Sequence, residues 1–260
     1  STPKFVGLQN YIDMAKDPII WEVTKNTILY TVITVPVGMC ISLLLAVMLD
    51  QKIAFRRFYR AAFFLPSITS MVVVAIVWQW IYNPDYGLLN YFLSLFGIKG
   101  PKWLLDANTS LISLAIVGIW KRAGYDMIIF LSGLQGISNS YYEASMLDGA
   151  NKWQIFWKIT MPYVLFICGP SLIQSIIANI NNFNVIYLLT SSNATANMAF
   201  ANSNAKETDL LITWLFTLTN DNSNYKMASV IGIISFAICA LLTLLSYTRM
   251  ISGDKEEVYQ

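Results

Sequence analysis

The sequence predicts an all-α fold, a polytopic bundle of transmembrane helices. Apolar residues make up 56% of the 260 residues and charged residues only 12%, and the mean hydropathy is +0.53. A soluble domain carries about 25% charged residues, so one aqueous core does not explain this composition. The apolar residues also collect into separate runs of about 20 residues or more, the length that crosses a bilayer as a helix.

Five such runs define the predicted spans in chain order. A soluble protein with buried helices is the alternative, but five runs in one chain argue against it. The third run is the most interrupted, because Lys121, Arg122 and Asp126 lie within it. The spans cover residues 23–49, 61–81, 110–131, 162–189 and 228–247.

Basic residues predict how the spans are oriented. The short link 50–60 is rich in Lys and Arg, and such links stay in the cytoplasm. Residues 132–161, which are part of a membrane domain of residues 23–248, and the tail 249–260 then also lie inside. Because five spans with an outside N-terminus are unusual, we expect a further helix upstream of Ser1. The basic residues of the link are Lys52, Arg56, Arg57 and Arg60.

The remaining segments are predicted to lie outside the cytoplasm. These are the outer segment 1–22 and the loops 82–109 and 190–227. In the first of these loops, turn residues flank a short amphipathic pattern, which predicts a short helix. The second loop is rich in Asn, Ser and Thr, and a short helix is expected near residues 209–218.

The composition also excludes several function classes. The chain has no histidine, so it lacks the commonest metal ligand and general base. The net charge of +2 does not indicate a nucleic-acid partner. Cys40, Cys168 and Cys239 lie in apolar runs without CxxC spacing, and we expect them to be buried small hydrophobic residues. We therefore expect no catalytic residue, metal site or cofactor, which leaves an integral-membrane enzyme without a catalytic set.

The inside loop 138–162 carries the most informative local pattern, SNSYYEASMLDGANKWQIFWKITMP. Ser140 and Glu143 have capping-box spacing and predict the start of a helix. The pair Asp148-Gly149 then predicts a helix end with Gly149 at positive φ. Asn151 and Gln154 repeat the capping pattern and predict a second helix.

The second helix of this hairpin carries large aromatic residues, among them Trp153, Phe156 and Trp157, and Pro162 is expected to end it or to open the next span. Aromatic side chains of this size on an exposed surface indicate a docking site. A hairpin that lies on lipid headgroups is the alternative.

The segment EASMLDGANKWQIFWKITMP resembles the EAA motif of binding-protein-dependent ABC importer permeases. That pattern has Glu-Ala-Ala, a Gly six residues after Glu, an Ile ten residues after Gly, and then Leu-Pro one residue on. Glu143, Ala144, Gly149, Ile159 and Pro162 match it. Two positions differ mildly, because Ser145 stands for the second Ala and Met161 for Leu.

The resemblance extends to carbohydrate permeases along the chain, in FVGLQNY, RRFYRAAFFLPSITS, WQWIYNPDYGLLN and IWKRAGYDMIIFLSGLQGI. The C-terminal part, from NINNFNVIYLLT onward, is similar to permeases for maltose and maltodextrin. Such permeases have a core of six helices, so five spans imply that the first family helix is missing.

The resemblance implies an ATP-driven importer that moves a sugar or oligosaccharide by alternating access across the bacterial inner membrane. Its implied partners are membrane lipid, two cytoplasmic ATPase subunits, a second and different permease, and an extracytoplasmic solute-binding protein. The chain has no GxxxxGK[ST] phosphate loop, so ATP hydrolysis is expected in a partner. The resemblance assigns coupling to that partner to Glu143, Ala144, Asp148, Gly149 and Ala150.

Polar residues in the fourth run are candidates for solute contact, because polar groups at bilayer depth usually face a cavity or a partner. Ser175, Asn179 and Asn182 have the spacing of one helical face. The resemblance implies that these three residues and Tyr125 contact the sugar. The alternative for each amide is a hydrogen bond between helices.

Lys121 and Arg122 depart from the maltose permeases, which have small or apolar residues there. They either meet an acidic solute, pair with Asp126, or lie in a watery vestibule. An importer for glycerol phosphate, an acidic sugar or an amino acid therefore stays open. A channel or secondary transporter is the alternative outside the importer class.

Overall fold

The structure, a computed structural model, describes residues 5–51, 53–190, 208–220 and 223–257. Every regular element within those ranges is a helix, as the all-α prediction requires. In chain order the helices are α1 Gln9–Lys16, α2 Pro18–Asp50, α3 Arg56–Ile68, α4 Met71–Ile81, α5 Leu88–Leu95, α6 Ala107–Gly136, α7 Asn139–Leu147, α8 Lys152–Ile155, α9 Met161–Ile180, α10 Asn184–Thr190, α11 Leu211–Asn220 and α12 Tyr225–Glu257.

Three stretches of the described chain are long and apolar enough to cross a membrane. They are Pro18–Asp50, Lys152–Thr190 and Tyr225–Leu245, and α3 with α4 make a fourth if they count as one bent span. The third predicted span, 110–131, lies in α6, a continuous helix of 30 residues that holds Lys121, Arg122 and Asp126. The two short helices predicted for the outer loops are present as α5 and α11. Most of the second outer loop, residues 191–207, lies outside the described residues.

The predicted span 61–81 is not one helix, because it breaks between α3 and α4. Thr69 and Ser70 both have extended backbone, with ψ of 139° and 132°. Pro66, inside α3, has no N–H to donate. The Thr69 N–H closes the last turn of α3 by donating to the Leu65 and Pro66 carbonyl oxygens. The carbonyl oxygens of Pro66 and Thr69 also accept hydrogen bonds from a side chain of α6.

The predicted span 162–189 is also interrupted, because α9 ends at Ile180 and α10 begins at Asn184. Asn182 accepts a hydrogen bond from the Val185 N–H at 3.4 Å and donates one to the Tyr30 hydroxyl at 3.1 Å. Asparagine side chains compete with the helical ladder for backbone partners, which favours a break in such a run.

The first of two compact units comprises Ser1–Ile33, Ser70–Val117 and Ile176–Gln260. One of its cores contains Tyr30, Tyr82, Leu114 and Ile186, and the other contains Met14, Val23, Trp214 and Ile231. Polar links support these cores. The Gln79 side-chain amide donates to the Leu188 carbonyl oxygen at 2.9 Å, and the Tyr82 hydroxyl donates to the Ser113 carbonyl oxygen at 2.9 Å.

The second compact unit comprises Thr34–Thr69 and Gly118–Ser175. Its core packs Leu49, Met127, Phe130 and Val164 with neighbours from α2, α6 and α9. At Gly124, helix α6 lies directly against the backbone of Phe63 in α3, where a Cβ atom has no space. Small residues at such crossings let membrane helices approach closely.

The cysteines follow the expectation only in part. Cys168 is buried in the core of the second unit, as predicted. Cys239 is half-buried, and its sulfur accepts a hydrogen bond from the Asn181 side chain at 3.3 Å. The prediction is wrong for Cys40, which is exposed. An apolar run in a membrane helix includes positions on its outer side, so apolar sequence neighbours do not imply burial.

Candidate functional site

The loop 138–162 folds into the predicted helical hairpin, but its first cap differs from the prediction. Helix α7 begins at Asn139 with Ser138 as its N-cap, whose hydroxyl accepts from the Ser140 N–H at 3.4 Å. Ser140 is already inside the helix, so the predicted Ser140–Glu143 capping box is wrong. Glu143 lies in the middle of α7 with an exposed side chain.

The end of α7 forms as predicted at Asp148 and Gly149. Gly149 has φ +80°, and its N–H donates to the Met146 carbonyl oxygen at 3.1 Å. The Ala150 N–H donates to the Ser145 carbonyl oxygen at 3.0 Å. These two bonds make a Schellman motif, which ends a helix sharply and needs a left-handed residue at the position of Gly149.

The second helix of the hairpin is capped by Asn151 and Gln154, as predicted. The Asn151 side-chain oxygen accepts from the Gln154 N–H at 2.8 Å, and the Gln154 side chain accepts from the Asn151 N–H at 2.9 Å. This reciprocal capping box satisfies two backbone donors at the start of α8.

The second helix of the hairpin does not end at Pro162. Helix α8 continues through a wider helical turn directly into α9. Residues Phe156–Thr160 form one π-helical turn, and the Met161 N–H donates to the Phe156 carbonyl oxygen five residues earlier. Proline has no N–H and its ring clashes with the carbonyl four residues before it. The wider turn before Pro162 accommodates this ring without ending the helix.

A hydrophobic surface covers the outside of the hairpin. Leu147 is 89% exposed and Trp153 is 70% exposed, and Met146 and Trp157 are exposed beside them. The Trp153 and Trp157 rings meet edge to face with centroids 5.6 Å apart. We define the hairpin surface as Met146, Leu147, Trp153 and Trp157, and surfaces of this kind mark sites of interaction.

The predicted coupling residues lie on the same hairpin as this surface. Glu143, Ala144, Asp148 and Gly149 are exposed and Ala150 is partly exposed. The hairpin is held from within by Tyr142, whose hydroxyl lies 3.3 Å from the Thr160 hydroxyl, and by the buried Ser145. The hairpin is therefore braced from within while its outer side chains are accessible.

In the second unit, the charged residues of α6 are paired with protein groups. Arg122 Nε lies 3.0 Å from Asp126 Oδ2, and Arg122 Nη2 donates to the Ser175 hydroxyl at 2.8 Å. Lys121 Nζ donates to the carbonyl oxygens of Pro66 at 3.1 Å and Thr69 at 2.7 Å. Charges at bilayer depth are stable when they are satisfied in this way. The structure therefore has the Arg122–Asp126 pair that was one of the open alternatives.

Tyr125 is the most accessible of the predicted solute residues. Its side chain is exposed, and the Arg122 guanidinium lies 5.9 Å from the centre of its ring. Ser175 is buried and engaged by Arg122, and it donates to the Ser171 carbonyl oxygen at 2.8 Å. Sequence reasoning did not anticipate the contact between Arg122 and Ser175, because the two residues are 53 positions apart.

Asn179 and Asn182 belong to the first unit, and the predicted common helical face is wrong for Asn182. Helix α9 ends at Ile180, so the helical spacing that linked Ser175, Asn179 and Asn182 does not extend to Asn182. Asn179 is buried, and Asn182 is held by its bonds to Tyr30 and Val185.

Residues 38–252 match the family model described as "binding-protein-dependent transport system inner membrane component". The chain belongs to this family. It is accordingly a multi-pass transport subunit of the cytoplasmic membrane and not an enzyme. The family name also states that the transport system of this inner-membrane component depends on a binding protein.

Named relatives align with nearly the whole of this inner-membrane component. The probable ABC transporter permease protein YurN of Bacillus subtilis (strain 168) is 31% identical over 97% of this chain and 84% of its own length. The lactose transport system permease protein LacF of Rhizobium radiobacter is 28% identical over 94% of this chain and 80% of its own length. The galactooligosaccharides transport system permease protein GanP of Bacillus subtilis (strain 168) is 29% identical over 97% of this chain, which spans 61% of GanP.

A solved structure has the same fold as this inner-membrane component. It is the crystal structure of a bacterial ABC transporter involved in the import of the acidic polysaccharide alginate. The TM-score is 0.76 at 20% identity, over 96% of this chain and 85% of that chain. The likeness supports the all-α permease architecture predicted from the sequence.

Proposed function

We propose that this chain is a membrane-spanning permease of an ATP-driven importer that moves a sugar or oligosaccharide inward. The observation that carries the proposal is the hairpin 138–162, a doubly capped helical pair with an exposed hydrophobic surface. Relatives that are named as transporting lactose and galactooligosaccharides support a sugar as the solute.

The hairpin would couple the permease to cytoplasmic ATPases. Each of two ATPase subunits would bind one such hairpin. One hairpin would come from this chain and the other from a second, different permease. Leu147, Trp153 and Trp157 would enter a groove of the ATPase, where burial of their apolar area favours binding. Glu143 and Asp148 are exposed carboxylates on the same hairpin and would meet basic groups at the rim of that groove.

A rigid hairpin can transmit motion because its geometry is fixed from within. The Schellman bonds at Gly149 and the capping box of Asn151 set the angle between the two helices. When ATP closes the ATPases, a hairpin seated in each would move with them and carry α9 along. Alternating access of the solute path to the two sides of the membrane would follow.

A neutral sugar fits the site better than an acidic solute. Arg122 is paired with Asp126, and Lys121 is engaged by two carbonyl oxygens, so both cations already have partners in the protein. Tyr125 presents an exposed ring of the kind that stacks on sugar faces. The amides of Asn179 and Asn182 are the polar candidates in the first unit.

The experiment is uptake into proteoliposomes that contain the full complex of permeases and ATPases, with the solute-binding protein added outside. Radiolabelled lactose, maltose and galactooligosaccharides are offered with and without ATP inside. We expect uptake of at least one sugar only with both ATP and the binding protein. Uptake without ATP would instead identify a channel or secondary transporter. Glycerol phosphate is offered in parallel, and its uptake without that of any sugar would exclude a sugar as the solute.

A further inference from the structure

Helix α5 exposes its apolar side, whereas a surface helix of a soluble protein normally buries that side against the core. The exposed residues follow the spacing of one helical face, and the most exposed of them, Phe96, has 79% of its surface accessible. No residue of α5 carries a charge. The outward apolar face, called the α5 stripe below, consists of Leu88, Tyr91, Phe92, Leu95 and Phe96.

The orientation of α5 is fixed by bonds on its protein side. The Asn90 side chain donates to the carbonyl oxygens of Pro84 at 3.0 Å and Pro101 at 3.3 Å. Its own oxygen accepts from the Trp103 indole N–H at 2.7 Å. Leu89 packs against the core of the first unit, to which Trp103 also belongs. The one polar amide of the helix therefore faces inward, and the fold holds the apolar stripe outward.

The helix that precedes α5 exposes an apolar face of its own. Val73, Ile76, Val77 and Trp80 are exposed along α4, at the spacing of one helical face. Helix α4 is part of a candidate membrane span, so this face has lipid as its natural surroundings. The short turn between Ile81 and Leu88 joins the two exposed apolar faces within one unit.

We propose that α5 is an interfacial helix, whose stripe inserts into the bilayer at the level of the lipid headgroups. Tyr91 suits this depth because its ring enters the acyl boundary while its hydroxyl stays hydrated. Phe92 and Phe96 belong to the apolar face that such a helix buries below the headgroups. The loop after α5 exposes Lys99 and Lys102, which complement the charge of lipid phosphates. The stripe would then anchor the edge of the first unit to the membrane surface.

A soluble partner is a poorer match for the α5 stripe. The interface of a partner that binds and dissociates in each transport cycle is usually no more apolar than the rest of a protein surface. The stripe offers five apolar residues and no charged group. Lipid would also cover the stripe throughout the transport cycle. A soluble partner would leave it exposed to water after each dissociation.

The test is site-directed spin labelling of the full transporter complex in lipid nanodiscs. A cysteine-free permease receives single labels by Phe92→Cys and Phe96→Cys, and Asp85→Cys in the exposed turn before α5 is the matched control. Collision rates are measured with oxygen, which concentrates in lipid, and with a water-soluble nickel chelate. We expect an oxygen-to-nickel ratio severalfold higher at positions 92 and 96 than at position 85.

Three results would overturn the proposal. A ratio at positions 92 and 96 equal to that at 85 would leave the stripe in water. Loss of access to both reagents only after addition of the sugar-loaded binding protein would identify that protein as the occupant. Low access to both reagents in the full complex before the binding protein is added would identify the second permease as the occupant. Because both labelled positions are exposed, the substitutions leave the packed side of α5 unchanged.

Discussion

Lys121 and Thr69 are joined by a hydrogen bond of 2.7 Å from the ammonium group to the backbone carbonyl oxygen. The same ammonium group donates to the Pro66 carbonyl oxygen at 3.1 Å. Both carbonyl groups lie at the C-terminal end of α3, where a helix leaves acceptors unsatisfied and the macrodipole is negative. A lysine of α6 thus caps a different helix and stabilises the break that interrupts the predicted span.

Replacing Lys121 with Met should lower the stability of the permease. The substitution keeps most of the aliphatic chain but removes the ammonium donor from the Thr69 carbonyl oxygen and one of two donors from the Pro66 carbonyl oxygen, at a cost of about 1–3 kcal/mol. The measurement is the melting temperature of the purified complex in detergent. Lys226→Met changes an exposed lysine in the first turn of α12 and is the control. Equal melting temperatures for the two variants would show that the Lys121 contacts are not stabilising.

Gly124→Ala should be among the most damaging small substitutions in the second unit. A Cβ atom at position 124 meets the carbonyl group of Phe63, which is backbone and cannot rotate away. Overpacking of this kind costs about 1–3 kcal/mol or more. Gly169→Ala is the matched control, because a Cβ atom there has nothing within 4 Å. We expect a lower yield of folded protein for the first variant and no loss for the second, by size-exclusion chromatography of membrane extracts.

Local signals explain why the hairpin could be predicted. Its caps and its stop depend on residues within a few positions of each other, such as Asn151 with Gln154 and the positive φ of Gly149. The register error at Ser140 arose because two serines lie two positions apart and both are good N-cap residues. Only Ser140 has Glu three residues later, yet the helix begins after Ser138.

The breaks in the spans could not be predicted because distant contacts determine them. Lys121 caps Thr69 from 52 positions away, and Asn182 bonds to Tyr30 from 152 positions away. A hydropathy profile shows two continuous apolar runs. It contains no information on which backbone groups form hydrogen bonds with distant residues. For the same reason the pairing of Arg122 with Asp126 was one open alternative, and its contact with Ser175 was not foreseen.

If Tyr125 stacks on a sugar, then Tyr125→Ala should weaken transport and Tyr125→Phe should not. An aromatic contact contributes about 0.5–1.5 kcal/mol beyond area burial. A loss of that size corresponds to an increase of about two- to tenfold in the sugar concentration that gives half-maximal uptake. The measurement is the dependence of ATP-driven uptake on sugar concentration. Unchanged kinetics in Tyr125→Ala would remove Tyr125 from the solute path.

The predicted orientation can be tested with single cysteines in a variant without Cys40, Cys168 and Cys239. Arg57→Cys lies in the basic link 50–60, in the first turn of α3, and Lys99→Cys lies in the loop after α5. A maleimide that does not cross membranes should label position 99 in intact cells, and position 57 only after permeabilisation. Labelling of position 57 in intact cells would reverse the orientation and put the hairpin on the wrong side for ATPases.

Gly149 and Gly97 make a matched pair for testing the coupling role of the hairpin. Both have positive φ, at +80° and +72°, and a Cβ atom at either position has nothing within 4 Å. Each ends a short helix in the same way, because the Ile98 N–H donates to the Leu93 carbonyl oxygen as the Ala150 N–H does to that of Ser145. A Val at either site therefore meets the same backbone strain, about 1–2 kcal/mol for a left-handed residue with a Cβ atom.

We expect Gly149→Val to insert and assemble but to lose uptake and the stimulation of ATP hydrolysis by the sugar-loaded binding protein. Gly97→Val should keep both, since the strain is equal but lies on a different helix end. Gly149→Asn should restore much of the activity, because Asn tolerates the left-handed region. The measurement is ATPase activity of the reconstituted complex with and without the loaded binding protein. Full stimulation in Gly149→Val would show that the angle of the hairpin does not transmit closure, whereas equal losses in the Val variants would indicate general destabilisation.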